Sequence, residues 1–223
     1  MSKSIYCVLR SGGKDYAEQH VRWLKRQCDR YAPGVPFICL TDIACIEGVE
    51  TEPLIHRWEG WWSKLELFRF DDVFYLDLDT VLSNDIRFML ELDGFHALRN
   101  FGRNGIRGRL GARNIPLTSG VMSWSRSPRH VYENFDPAVA DRYRTKRRWG
   151  DQGYLYDQLH GEYRALQDVF PGRIHSSKFG AFAKDDPDAD IICFHGRPRP
   201  WETAWPRVPP LEPQADAGDR RAQ

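Results

Sequence analysis

Two short apolar runs separated by one amphipathic segment dominate the first forty residues. Ile5–Arg10 (IYCVLR) is rich in β-branched and aromatic residues and reads as a buried strand. Ser11-Gly12-Gly13 is a turn, and Asp15 is placed to cap a helix running to about Tyr31, with Tyr16, Val21, Leu24 and Cys28 at helical spacing. Pro33-Gly34-Val35-Pro36 ends that helix, and Phe37–Leu40 (FICL) is a second strand. Strand, helix, strand in so short a span is a βαβ unit, which commits the chain to a parallel sheet in an α/β fold.

Further along, Trp61–Phe70 reads as a helix with Leu65 and Phe68 inward. Val73–Leu76 (VFYL) is the most strand-like run, and His96–Arg99, Gly120–Trp124 and Ile191–His195 supply further strands. Asn100–Asn114 reads as a mobile loop, Arg142–Trp149 as a basic helix or loop, and Gly150–His160 as a helix. From Pro206 onward Pro, Ala, Asp and Gln dominate, so the expected organisation is one domain over 1–205 and a flexible tail over 206–223. At 223 residues the chain can close a core without disulfides or metal. Its 5 cysteines are odd in number and form no Cys-x-x-Cys pair, which points to reduced thiols and a cytoplasmic setting. The sequence holds no stretch of 18 apolar residues and so no membrane span, and the apolar run near Met1 is too short for a signal peptide.

The chemistry gathers behind VFYL, in Asp77-Leu78-Asp79. Alternate residues of an extended chain point the same way, so both carboxylates share one face at a strand's carboxyl end. That is where open α/β sheets bind ligands. Two acids so close repel unless a cation lies between them, and Mn²⁺ or Mg²⁺ fits hard oxygen donors while leaving positions for phosphate oxygens. The bland alternative is a turn with two solvated aspartates.

Five ordered blocks carry a resemblance: Trp62-Ser63-Lys64-Leu65, YLDLDTVL, Leu117–Trp124 (LTSGVMSW), Gly150–Leu155 (GDQGYL) and His195–Trp201 (HGRPRPW). Together they resemble the GT-A-fold glycosyltransferases of the glycogenin and galactosyltransferase group (family 8-like). The resemblance implies a GT-A fold, a Rossmann-like nucleotide-diphospho-sugar transferase architecture with a mostly parallel central sheet flanked by helices. It implies a metal-dependent transfer from a nucleotide-sugar, in the first place a UDP-sugar, with retention. By the same resemblance Asp77 and Asp79 match the metal-binding Asp-x-Asp, the first also contacting the donor ribose. Tyr16 matches a tyrosine that stacks on uracil, Lys64 a lysine that contacts the donor, and Asp151 and Gln152 an acid–amide pair beside the transferring sugar.

Three departures stand out. Thr118 replaces an asparagine before Ser-Gly. In the final block Gly196 aligns, but the histidine position falls on Cys193; His195, two residues on, faces the same way on a strand and is the better ligand, since imidazole suits Mn²⁺ more than a thiol does. Arg199 replaces a lysine and can bind diphosphate oxygens bidentately.

Two other readings compete. Apolar strand followed by Asp77-Leu78-Asp79-Thr80-Val81-Leu82 also suits a haloacid-dehalogenase-like phosphatase with Asp77 as nucleophile and Asp79 as acid/base, and Leu117-Thr118-Ser119 passes for its second motif. That motif lies near the N-terminus of such enzymes, whereas here a full βαβ unit precedes it. A nucleic-acid-binding module is suggested by Ala97–Gly150, which holds 12 Lys and Arg against 3 Asp and Glu, with Phe101, Trp124, Tyr143 and Trp149 interleaved. In a transferase, Arg103, Arg107, Arg109, Arg144, Lys146, Arg147 and Arg148 would flank an anionic acceptor, such as a glycolipid core or a hydroxylated nucleic-acid base. Trp61, Trp62, Trp201 and Trp205 are candidates for stacking on sugar faces.

Overall fold

The computed structural model describes residues 3–104, 116–145, 150–179 and 188–211, without the side chains of 103 and 104. Strand β1 (Ser4–Leu9), helix α1 (Glu18–Tyr31) and strand β2 (Phe37–Thr41) form the expected βαβ unit, with β1 and β2 parallel and in register from Ile5 opposite Phe37 to Leu9 opposite Thr41. Helix α1 buries Val21, Trp23, Leu24 and Cys28 against the sheet. It starts two residues later than Asp15 suggests. Ala17 is the cap, and Tyr16 lies ahead of the helix.

The remaining strands are β3 (Glu50–Pro53), β4 (Val73–Leu76), β5 (Thr80–Leu82), β6 (His96–Arg99), β7 (Leu117–Trp124), β8 (Arg164–Ala165), β9 (Ile174–Ser176) and β10 (Ile191–Cys193). The central sheet runs β3-β2-β1-β4-β7-β6-β8 and is mostly parallel; only β7 runs against both of its neighbours. A second sheet has the order β5-β10-β9. From β1 the chain winds outward through β2 to β3, then returns to lay β4 on the other side of β1. The direction of winding reverses between β1 and β4, and the crevice beyond the carboxyl ends of those strands is the ligand position of a doubly wound sheet.

Apolar residues cover both faces of the sheet. Ile5, Leu24, Phe74 and Val121 belong to one cluster, and Leu65, Phe68, Tyr75 and Trp124 to the other. The Trp61–Phe70 segment is a 3-10 helix over Gly60–Arg69, and Leu65 and Phe68 are buried as expected. Gly150–His160 contains the helix Asp151–Gln158.

Packing continues past residue 205. Val208 and Leu211 rest on the core, and Trp23 donates Nε1–H to the Pro209 carbonyl at 2.8 Å. Within the expected tail of 206–223, Val208, Pro209 and Leu211 thus contact the domain, and 212–223 lie outside the described residues. All five cysteines are free thiols. Among the described residues no helix is long and apolar enough to cross a membrane.

Candidate active site

At the switch point a cavity of about 730 Å³ opens beyond β1 and β4. Asp77, Asp79, Tyr16, Lys64, Gln152, His195, Gly196 and Arg199 line it, from segments far apart in the chain. Asp151 stands just behind, joined to the site through Lys64.

Asp77 is fixed at the end of β4 by its backbone N–H, which donates to the Gly120 carbonyl on β7 at 2.9 Å. A Cβ at Gly120 would lie 3.3 Å from Asp77 Oδ2, so glycine keeps that oxygen's surroundings open. Asp77 Oδ1 accepts the Tyr75 hydroxyl and pairs with Lys64 Nζ at 2.9 Å. Lys64 also reaches Asp151 Oδ2 at 3.4 Å and the Ser119 hydroxyl at 3.2 Å, and Ser119 Oγ donates to Asp151 at 2.6 Å. Burial alone would neutralise this lysine, but Asp77 and Asp151 outweigh it and hold the ammonium above its usual pKa. Asp151 is 5% exposed, so it is an interior acid with a fixed counter-ion rather than a surface residue at a helix start.

Asp79 is the second pole. Its Oδ2 accepts the Tyr16 hydroxyl at 2.9 Å and the Arg199 guanidinium at 2.5 Å. Burial, and then the Asp77 charge, push its carboxyl up to about 6 despite Arg199. Arg199 also pairs with Asp15 at 3.4 Å and lies 4.7 Å above the Tyr16 ring. Burial and the neighbouring aspartates raise the Tyr16 phenol well out of its usual range, so it remains a donor.

His195 sits at the cavity wall near Phe101 and Phe179, with Nε2 buried and unpartnered. Burial drops its pKa to about 4, with Asp77 opposing and Lys178 assisting, so the imidazole is neutral and able to act as a ligand. Cys193 is 3% exposed and packs in the core, and burial pushes its thiol well up. Gly196 has φ +68°, a left-handed turn suited to glycine, and Lys178 clamps that turn through the carbonyls of His195 and Arg197.

Two carboxylates and a neutral imidazole are chemically suited to Mn²⁺ or Mg²⁺. Among the described residues, however, no three such donors stand together as a coordination set. Asp79 is turned onto Arg199 and Tyr16, and Asp77 onto Lys64 and Tyr75.

Four side chains lining the cavity carry a buried polar atom without a protein partner: Thr118 Oγ1, Gln152 Oε1, His195 Nε2 and Arg199 Nε. Each such atom costs roughly 1–3 kcal/mol when left unpaired, so their concentration in one cavity marks a polar ligand site.

Sequence reasoning missed Tyr75 and Lys178 and gave Asp15 and Ser119 other roles. Tyr75 was within reach, because it lies two residues before Asp77 on one strand and so on the same face. Of the aromatics behind the nucleic-acid reading, Trp124 and Tyr143 are core residues and Phe101 lines the cavity, and Arg144 pairs with Glu59 and Asp141. Arg103, Arg107, Arg109, Lys146, Arg147, Arg148 and Trp149 lie outside the described residues or side chains. Of the candidate stacking tryptophans, Trp62 is buried, Trp201 packs on His20 and Trp23, and Trp205 packs on Phe194.

No protein-family model and no curated protein matches the chain. Solved structures do. The glycosyltransferase GlyE of Streptococcus pneumoniae TIGR4 superposes with TM-score 0.62 at 15% identity over 91% of this chain, which spans 56% of that one. The galactosyltransferase LgtC, solved with donor and acceptor sugar analogues, gives 0.60 at 13% identity over 92% of this chain and 91% of its own. Mouse xyloside xylosyltransferase 1 gives 0.52 at 13% identity, covering 88% and 98%. The chain therefore has the GT-A fold of these glycosyltransferases.

Proposed function

We propose that the protein is a glycosyltransferase that moves a sugar from a nucleotide-sugar, a UDP-sugar in the first instance, to an acceptor hydroxyl with retention. The reading is carried by the cavity at the switch point, where an acid pair meets Arg199 and four unpartnered polar atoms. Its volume suits a nucleotide-sugar. The fold is that of solved glycosyltransferases, LgtC among them with a donor analogue bound, and this supports the same reading. The haloacid-dehalogenase-like alternative is weaker, because its motif opens on a first strand and Asp77 here follows the fourth.

Asp77, Asp79 and His195 would hold a divalent ion, which supplies Lewis-acid neutralisation of the leaving diphosphate. Asp79 would exchange its Arg199 contact in doing so. Arg199, released from Asp79, is free to fork onto diphosphate oxygens. Tyr16 supports the base and Lys64 the donor, with Asp77 and Asp151 keeping that ammonium charged. Gln152 orients the transferring sugar through the amide oxygen that has no partner in the protein. The bond from the anomeric carbon to the diphosphate oxygen breaks, and a bond from that carbon to the acceptor oxygen forms on the same face. The acceptor proton leaves with the departing phosphate, so no strong protein base is needed.

Thermal stability measured with UDP-, GDP-, CMP- and ADP-sugars, with Mn²⁺ and with chelator, tests this. A Mn²⁺-dependent stabilisation by one UDP-sugar, absent in Asp79→Asn, is expected. Stabilisation by none of them, together with turnover of a generic phosphate ester, would replace the reading with a phosphatase.

A further inference from the structure

Trp61 is the one tryptophan of the four candidates left open at the cavity, at 53% exposed. Its exposure does not come from a loose segment. The next residue, Trp62, is buried and stacked on Phe135 at 4.9 Å, and Ser63 Oγ donates back to the Gly60 carbonyl at 2.7 Å. The indole itself sits against Gly150, where a Cβ would come within 2.6 Å of Trp61 Nε1. Gly150 has φ +64°, a conformation that favours glycine, and its N–H donates to the Tyr143 carbonyl at 2.7 Å. A large apolar ring thus stands half in solvent against Gly150, at the start of the segment that carries Asp151 and Gln152. Exposing it gains nothing in folding.

We infer that Trp61 is the floor of an acceptor subsite and that it binds a neutral pyranoside by stacking on the sugar's C–H face. This rests on the sugar-transfer reading of the same cavity. A pyranose presents polarised C–H groups on one face, which meet the negative face of an indole, while its hydroxyls remain free for polar partners. Tyr16 and Arg199 mark the base and diphosphate side, whereas Trp61 lies against Gly150, two residues before Gln152, toward the sugar end where an acceptor must meet the donor. Stacking through C–H groups needs no charge on the ligand, so a neutral pyranoside is the occupant proposed.

The test compares the wild type with Trp61→Phe and Trp61→Ala in two measurements. The first is binding to an array of immobilised neutral glycans in the presence of UDP and Mn²⁺. Signals on a subset of glycans are expected to be retained with phenylalanine and lost at least tenfold with alanine. The second is the partition of UDP-sugar between transfer to a soluble glycoside from that subset and hydrolysis by water. Alanine is expected to shift it about tenfold toward hydrolysis, through the acceptor KM. An array without any signal dependent on Trp61, or an alanine variant whose defect lies in the KM for the UDP-sugar, overturns the acceptor assignment. Absence of both transfer and hydrolysis with array binding intact overturns the transferase reading and leaves the glycan subsite standing.

Discussion

The Arg199 guanidinium meets the Asp79 carboxylate at 2.5 Å across 120 residues of chain. This pair closes the ligand side of the site, because the group expected to neutralise a diphosphate is spent on the acid expected to hold a cation. Arg199→Met separates the two roles. Without the arginine, Asp79 loses an interaction that favours its charged form, so its carboxyl is expected to titrate above the wild-type value of about 6. Carbon-13 NMR of labelled aspartate reads that shift. Affinity for UDP, measured calorimetrically, is expected to weaken at least tenfold; unchanged UDP affinity would remove Arg199 from the diphosphate site.

Thr118 offers a cleaner division between stability and binding. Its hydroxyl is buried at the cavity without a partner. Thr118→Val removes an unsatisfied polar group at nearly constant volume, so the apoprotein is expected to keep or gain stability, by up to about 1 kcal/mol. Donor-sugar affinity is expected to fall. A loss of apoprotein stability in denaturant titration would mean that the hydroxyl already has a structural use.

Gly150→Ala tests the seat of Trp61 without touching the indole. The added Cβ meets Trp61 Nε1 at 2.6 Å on a backbone with φ +64°. Left-handed strain and the clash together are expected to cost about 1–3 kcal/mol. At this chain length that lowers Tm by roughly 2–4 °C per kcal/mol. Displacement of the indole is expected to change the tryptophan emission, and this change should vanish in a Trp61→Phe background.

Buried histidines set an acid limit on the fold. His96 is 1% exposed, and burial lowers its pKa from 6.5, with the Gly94 carbonyl opposing. The unfolded chain therefore takes up a proton that the folded chain refuses. The stabilising contribution is complete above pH 6.5 and is lost as pH falls below it. Asp79, raised rather than lowered, contributes a slope of the opposite sign between the usual carboxylate range and about 6. Comparing wild type with His96→Asn at each pH isolates the histidine. The wild type is expected to lose more stability than the variant between pH 7 and pH 5, and parallel curves would reject the assignment.

The central frame was legible because its strands are apolar and bounded by turns: IYCVLR, FICL and VFYL fall within one residue of β1, β2 and β4. The strands not foreseen lack that signal. β3 is Glu-Thr-Glu-Pro, a polar edge strand ending in a proline, and β8 is two residues long. β5 follows directly on Asp79 and is masked by the motif it continues. Asp15 carried a helix-start signal, yet it pairs with Arg199 and Arg197 instead, a tertiary use that no local pattern encodes. Of the residues lining the cavity, Lys64, Asp77, Asp79, Gln152, His195, Gly196 and Arg199 fall within the ordered blocks. What the blocks do not encode is which acid faces which cation. Lys64 belongs to Asp77 and Asp151 and Arg199 to Asp79, because β4, β7 and the Asp151–Gln158 helix converge on one side while the segment after β10 closes the other.

That division predicts a specific non-additivity. Lys64 is enclosed with Asp77 and Asp151, its side chain 9% exposed and that of Asp151 7%. Lys64→Met leaves a buried carboxylate facing Asp77 with no counter-ion, and breaking a buried pair from one side costs about 3–5 kcal/mol. Asp151→Asn leaves Lys64 still paired with Asp77 and is expected to cost less. In the double variant the orphaned charge at position 151 is gone, so part of the Lys64→Met penalty is expected to return. The coupling energy from a denaturant double-mutant cycle should lie within about 0.5–3 kcal/mol. Strict additivity would mean that Asp151 is held by Ser119 alone and that the lysine serves only Asp77.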